Sequence, residues 1–220
     1  MIPIQDVIPT RLVPVATYVL LGLNLASYLS RVEPATGSYA AGIANETAIA
    51  TAIDVVRSTF SHSSLLHFAI NALFLWLFGG TVEDQLGRLR FAILYLVAGV
   101  AAAGMPEVVD PAWRGPTLGG SLAIAAVMGA YFFLFPNSKV LMLMPIPIAL
   151  HEVPAAFLFA VWCAAQFFGL VALVAAGDAP DTMIGLALAA YALAFVIGAA
   201  LCLALRRPER SHVEWWEARR

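Results

Sequence analysis

Six apolar stretches, at 13–30, 64–82, 90–105, 119–135, 153–176 and 182–205, run through this chain of 220 residues. A helix needs about 20 such residues to cross the hydrocarbon core of a bilayer. With 61% hydrophobic and 12% charged residues and a mean hydropathy of +0.85, the chain lacks the polar surface a soluble fold requires. Runs of this length satisfy their backbone groups in lipid as helices. The expected fold class is therefore all-α: a polytopic membrane protein whose six transmembrane helices form one domain over 13–207, with a segment 1–12 before it and a tail 208–220 after it. The third and fourth runs are short. The fourth opens on Gly119-Gly120-Ser121 after a polar loop, so its first turn is expected in a water-filled cavity.

Positive charge orients the helices. Arg11, Arg88, Arg90, Lys139, Arg206, Arg207, Arg210, Arg219 and Arg220 fall on one side of a six-span arrangement, and Arg31, Arg57 and Arg114 on the other. The cation-rich side is cytoplasmic by the positive-inside rule, which puts both termini in the cytoplasm, and the membrane is read as the plasma (inner) membrane of a prokaryote. The first run has no small-residue cleavage site after it and is read as a retained span. The long loop 31–59 carries Tyr39, Ile43, Ile49 and Ile53 among small residues, suiting an interfacial element, and Asn45-Glu46-Thr47 fits a glycosylation acceptor. Glu83 is expected to pair with Arg88 or Arg90, and Trp215-Trp216 to rest at the membrane interface. A net charge of −2 with no basic cluster argues against nucleic acid as a partner; the lipid bilayer is the partner composition implies. Cys163 and Cys202 read as packing residues, and no metal or cofactor is implied.

Polar side chains within apolar runs are the main clue to function, because they are costly in hydrocarbon and face a cavity, a partner or a substrate path. His62 precedes the second run closely, and His67 and Asn71, spaced i, i+4 within it, share one helix face. Ser121 enters the fourth run from the same side, at matching depth. A serine at the start of a helix lies beside backbone amides that have no intrahelical acceptor. Those amides, with imidazole and carboxamide N–H groups, are the parts of an oxyanion hole. The competing reading is helix packing: Gly120, Ser121, Ala125, Ala126, Gly129 and Ala130 are small enough to let membrane helices approach closely.

The entry into the first run (Arg11 to Asn24), the block Phe60 to Gly80 with His62, His67 and Asn71, then Val82-Glu83 with Gly87, Gly119-Gly120-Ser121 through Gly129-Ala130-Tyr131, Pro145 to Gln166, and the closing run with Gly198 occur in an order that resembles the rhomboid family of intramembrane serine proteases. The resemblance implies a rhomboid-like six-helix bundle. In it Ser121 is the nucleophile, His67 and Asn71 stabilise the oxyanion with the Ser121 amide, and His62 is a further polar residue of the cavity. It also implies that the partners are transmembrane segments of membrane-protein clients.

Two departures stand out. The family's Gly-x-Ser-Gly is broken by Leu122, which narrows the site, and the general-base histidine of the last helix is replaced. Alignment on Phe195 and Gly198 puts Tyr191 there, and 182–205 contains no histidine. A phenol with an ordinary pKa of about 10 donates a hydrogen bond at neutral pH but scarcely accepts a proton, so Tyr191 reads as a packing residue in the former histidine space. His151 falls at the far end of the fifth span and His212 in the tail. The expectation is a pseudoprotease that admits clients to Ser121 and hydrolyses them weakly or not at all. The alternatives are an active serine endopeptidase using His62 or His67 as base, and a transporter with an intramembrane polar path.

Overall fold

The computed structural model describes residues 2–30, 56, 59–62, 64–103, 105, 109, 120–145, 148–177 and 181–206. Most of loops 31–59 and 106–118, with Asn45, and the tail from 207 with His212, Trp215 and Trp216, lie outside the described residues. Along the chain come β1 (Ile2–Asp6), α1 (Val15–Ser30), α2 (Leu65–Leu86), α3 (Arg88–Ala103), α4 (Ser121–Leu134), β2 (Lys139–Pro145), β3 (Ile148–Pro154), α5 (Ala155–Ala175) and α6 (Thr182–Leu205). The six apolar runs thus correspond to six helices. By length and composition, α2, α5 and the Ile184–Leu205 part of α6 can cross a membrane, whereas α1 and α4 are shorter apolar helices.

The shortness of α4 has a structural reason. Its 14 residues rise only about 20 Å, and every residue from Ser121 to Tyr131 is buried. A helix apolar on all sides and enclosed by others is the central post of a bundle, and α4 packs against α6, α3 and α2. The closest approach is to α6. A Cβ on Gly129 would run into the backbone carbonyl of Phe195, and one on Gly198 into that of Ala126, so the two glycines let the backbones of α4 and α6 touch, as small residues do between membrane helices. Large apolar side chains point outward from the peripheral helices: Tyr18, Val19 and Leu23 on α1, Phe157, Val161 and Phe168 on α5, Leu188, Val196 and Leu203 on α6.

The all-α expectation needs correction, because a three-stranded antiparallel sheet of order β1-β2-β3 closes one end of the bundle. Lys139 opposes Pro154 and Pro145 opposes Ile148 in the β2–β3 hairpin, while Asp6 opposes Val140 on the other edge of β2. Val140 and Met142 of β2 are buried and Lys139 is exposed, the period-two alternation of a half-buried strand. The segment 1–12, expected as a cytoplasmic stretch before the bundle, supplies an edge strand over Ile2–Asp6.

The pairing of Glu83 with Arg88 or Arg90 is also corrected. Glu83 is completely buried and accepts hydrogen bonds from the backbone N–H groups of Ala16 (3.0 Å) and Thr17 (2.7 Å) and from the Thr17 hydroxyl (2.8 Å). Asp84 accepts from the N–H groups of Arg11 (3.1 Å) and Leu12 (2.8 Å). The first turn of α1 has amides without intrahelical acceptors, and the carboxylate of α2 answers both the hydrogen bonds and the positive end of the helix dipole. Arg90 instead donates to the carbonyl of Leu205 (2.9 Å) at the end of α6. Gly87, at φ 85°, ends α2 in a conformation that favours glycine and lets α3 start at the next residue. β1, the start of α1 and the end of α6 therefore share the sheet end of the bundle, opposite the start of α4.

Candidate active site

At the start of α4, Ser121 is buried, and its hydroxyl oxygen lies 2.8 Å from the phenol oxygen of Tyr191 on α6. The glycine contact between α4 and α6, with both glycines about two turns further along, brings the two helices close here. The phenol also donates to Oε1 of Gln166 on α5 at 3.2 Å. Nε2 of Gln166 reaches Oδ1 of Asn71 on α2 at 3.5 Å, and the indole N–H of Trp162 donates to the same Oδ1 at 3.2 Å. Four helices thus converge on one hydrogen-bonded chain, Ser121–Tyr191–Gln166–Asn71–Trp162. Asn71 and Trp162 are buried, as is Gln166. Nδ2 of Asn71 is buried without a hydrogen-bond partner among the described residues.

The histidines approach from the other side. The Nδ1 of His62 lies 3.1 Å from the carbonyl oxygen of Phe60. A carbonyl can only accept, so the neutral ring carries its proton on Nδ1, and Nε2 has the lone pair. That edge of the ring flanks Gly120: a Cβ there would lie 3.0 Å from His62 Cε1 and 3.1 Å from Nε2. Gly120 N–H in turn donates to the carbonyl of Ser61 at 3.0 Å, tying the segment before α2 to the start of α4. His67 stands on the first turn of α2, which Ser64 caps by accepting its N–H at 3.1 Å, and its ring meets that of His62 edge-on at 5.4 Å.

Each sequence-expected residue therefore has a place. Tyr191 bonds Ser121 directly, Asn71 joins it through Gln166, His62 borders it through Gly120, and His67 touches His62. Tyr191 is more than the packing residue expected, since its hydroxyl links two other side chains. Leu122 is fully buried in the apolar core, and His151 lies on β3 at the opposite end of the bundle. Sequence reasoning missed Gln166 and Trp162 as site residues. Gln166 carries the signal that should have found it, a lone carboxamide inside an apolar run. It also missed the buried bond from Asn24 of α1 to the Tyr95 hydroxyl of α3 (3.0 Å).

Comparison with known proteins identifies the family. The family model described as Rhomboid domain matches residues 50–208. The chain is 31% identical over 137 residues, 59% of its own length, to Rhomboid protein 1, mitochondrial, of Saccharomyces cerevisiae, covering 40% of that protein. It is 35% identical over 97 residues to presenilin-associated rhomboid-like protein A, mitochondrial, of Danio rerio, covering 43% of this chain and 25% of that protein. It is 33% identical over 78 residues to the rhomboid protease GluP of Bacillus subtilis, covering 36% and 15% respectively. The chain thus spans less than half the length of each of these relatives. The mitochondrial names of the yeast and zebrafish proteins overturn the expectation of a prokaryotic plasma membrane; charge bias alone gives the sidedness of helices and carries no information on which membrane holds them.

Proposed function

The chain belongs to the rhomboid family, and from that premise we propose that it is a pseudoprotease, admitting a client transmembrane segment to Ser121 without efficient hydrolysis. The observation that carries this reading is the 2.8 Å contact between the Ser121 hydroxyl and the Tyr191 phenol. Tyr191 occupies the position where the family resemblance calls for a general-base histidine. A general base must take the nucleophile's proton in the transition state, and in a soluble serine protease removal of nucleophile or base alone lowers turnover on the order of a million-fold. On this reading Ser121 is the vestigial nucleophile, with Asn71, His67 and the backbone N–H groups at the start of α4 around it as hydrogen-bond donors. The bundle of six helices spans the membrane, and the names of its relatives suggest a mitochondrial one. The test uses a purified single-span peptide with a photo-cross-linker in its helix-destabilising segment. The peptide should cross-link to the chain and stay uncut; absence of cross-linking rejects the client site, and rapid cutting rejects the pseudoprotease.

A second reading has one observation in its favour, the Nε2 edge of His62 lying against Gly120, the residue before Ser121. Here His62 is the base and the chain is a working endopeptidase. A fluorophosphonate probe then labels Ser121, and His62→Ala abolishes the labelling; a serine that stays unlabelled rules this reading out.

A further inference from the structure

The hydrogen-bonded chain at Ser121 has a direction, and one member sets it. An indole N–H is a donor only, so Trp162 obliges Asn71 to present Oδ1 to it (3.2 Å). With that oxygen fixed, Gln166 must face Asn71 through Nε2, because the reverse amide orientation would oppose two carbonyl oxygens. Oε1 of Gln166 then faces Tyr191 at 3.2 Å and can only accept. The phenol has one proton, which goes to Gln166, so the bond of 2.8 Å between Tyr191 and Ser121 must be donated by the serine.

We propose that Trp162 and Gln166 are positioning residues that impose this order, holding Tyr191 as the acceptor of the Ser121 proton. The proposal rests on Ser121 and Tyr191 being the functional site, and it extends that reading to how the hydroxyl is aimed. Tyr191 keeps the hydrogen-bonding role of a base without the capacity to keep the proton. Beyond it the chain ends in two amides and an indole, none of which takes up a proton at neutral pH. The serine oxygen is left with its lone pairs turned from Tyr191.

Ultraviolet resonance Raman spectroscopy reads this directly, because the phenol doublet of tyrosine differs between donor, acceptor and mixed hydrogen bonding. Subtracting the spectrum of Tyr191→Phe isolates Tyr191 in the full chain. The expected signature is mixed. Ser121→Ala should move it to donor-only, and Ser121→Thr, which retains a hydroxyl, should restore it. Gln166→Met should also give the donor-only signature, as the phenol proton swings to Ser121. A Ser121→Ala spectrum that loses donor character, or does not change, overturns the proposal. Ser121→Ala is a small truncation, so it decides the matter even where Gln166→Met fails to fold. The readout needs neither client binding nor cleavage, so failure of the positioning role is distinguishable from failure of the pseudoprotease reading.

Discussion

Asn71 illustrates how much one side chain can carry inside an apolar bundle. Its Oδ1 accepts from both Trp162 and Gln166, and a buried donor left without an acceptor costs about 1–3 kcal/mol. Asn71→Leu should therefore lower the thermal midpoint of the detergent-purified chain by several degrees, whereas Leu66→Ala on the same helix, with Leu66 exposed, should leave it within about one degree, since surface changes are usually small. Equal effects would show that the hydrogen bonds contribute nothing. At this scale the sequence singled out His62, His67, Asn71 and Ser121 as polar residues at apolar runs, but passed over Gln166 and Asn24, which interrupt such runs in the same way. Tyr191 reads only as a packing residue from sequence, because a tyrosine in a helix reveals nothing about its hydroxyl's partner. Trp162 was invisible for the same reason, since its N–H becomes informative only when a facing helix supplies an acceptor.

Among the elements, α1 depends on its neighbour to begin. Its first amides are held by Glu83, which is fully buried on α2, so Glu83→Ala should destabilise the chain by about 1–3 kcal/mol or more. Arg88→Ala should have an effect near zero, Arg88 being exposed. A large loss from Arg88→Ala, with little from Glu83→Ala, would reinstate the ion pair that the sequence suggested. Charge complementarity pointed to arginine because the sequence shows charges but not the orphaned amides of a distant helix start. The helices themselves were legible to within a few residues, since apolar run length is set by the bilayer. The sheet was not. Segment 139–145 is short, and a window tuned to 20-residue runs passes over the alternation of Val140 and Met142 between more exposed neighbours. The partner strand β1 lies more than 130 residues earlier in the chain, and no local pattern announces a pairing across that distance.

Across the whole molecule, the sheet end and the site end are joined by α4, and Asp6 gives the sheet end a pH dependence. Burial pushes its carboxyl up to about 6, against the opposing effect of the hydrogen bond from Thr81. A carboxyl that holds its proton more tightly folded than unfolded loses stability as pH rises from about 4 through about 6. The difference in unfolding free energy between the chain and Asp6→Asn should change across that window, the chain becoming relatively weaker toward pH 7; a flat difference would mean the carboxyl is not buried as described. At the opposite end, a rhomboid scaffold brings four helices to Ser121 and meets it with a phenol. The most direct measurement is the rate at which the reconstituted chain cuts a single-span rhomboid substrate, set beside Ser121→Ala and Tyr191→His. The account predicts that the chain is indistinguishable from Ser121→Ala and that Tyr191→His cuts faster by about a hundredfold or more, the usual contribution of a positioned general base. A chain that cuts far faster than Ser121→Ala, and slows when Tyr191 becomes histidine, would contradict it.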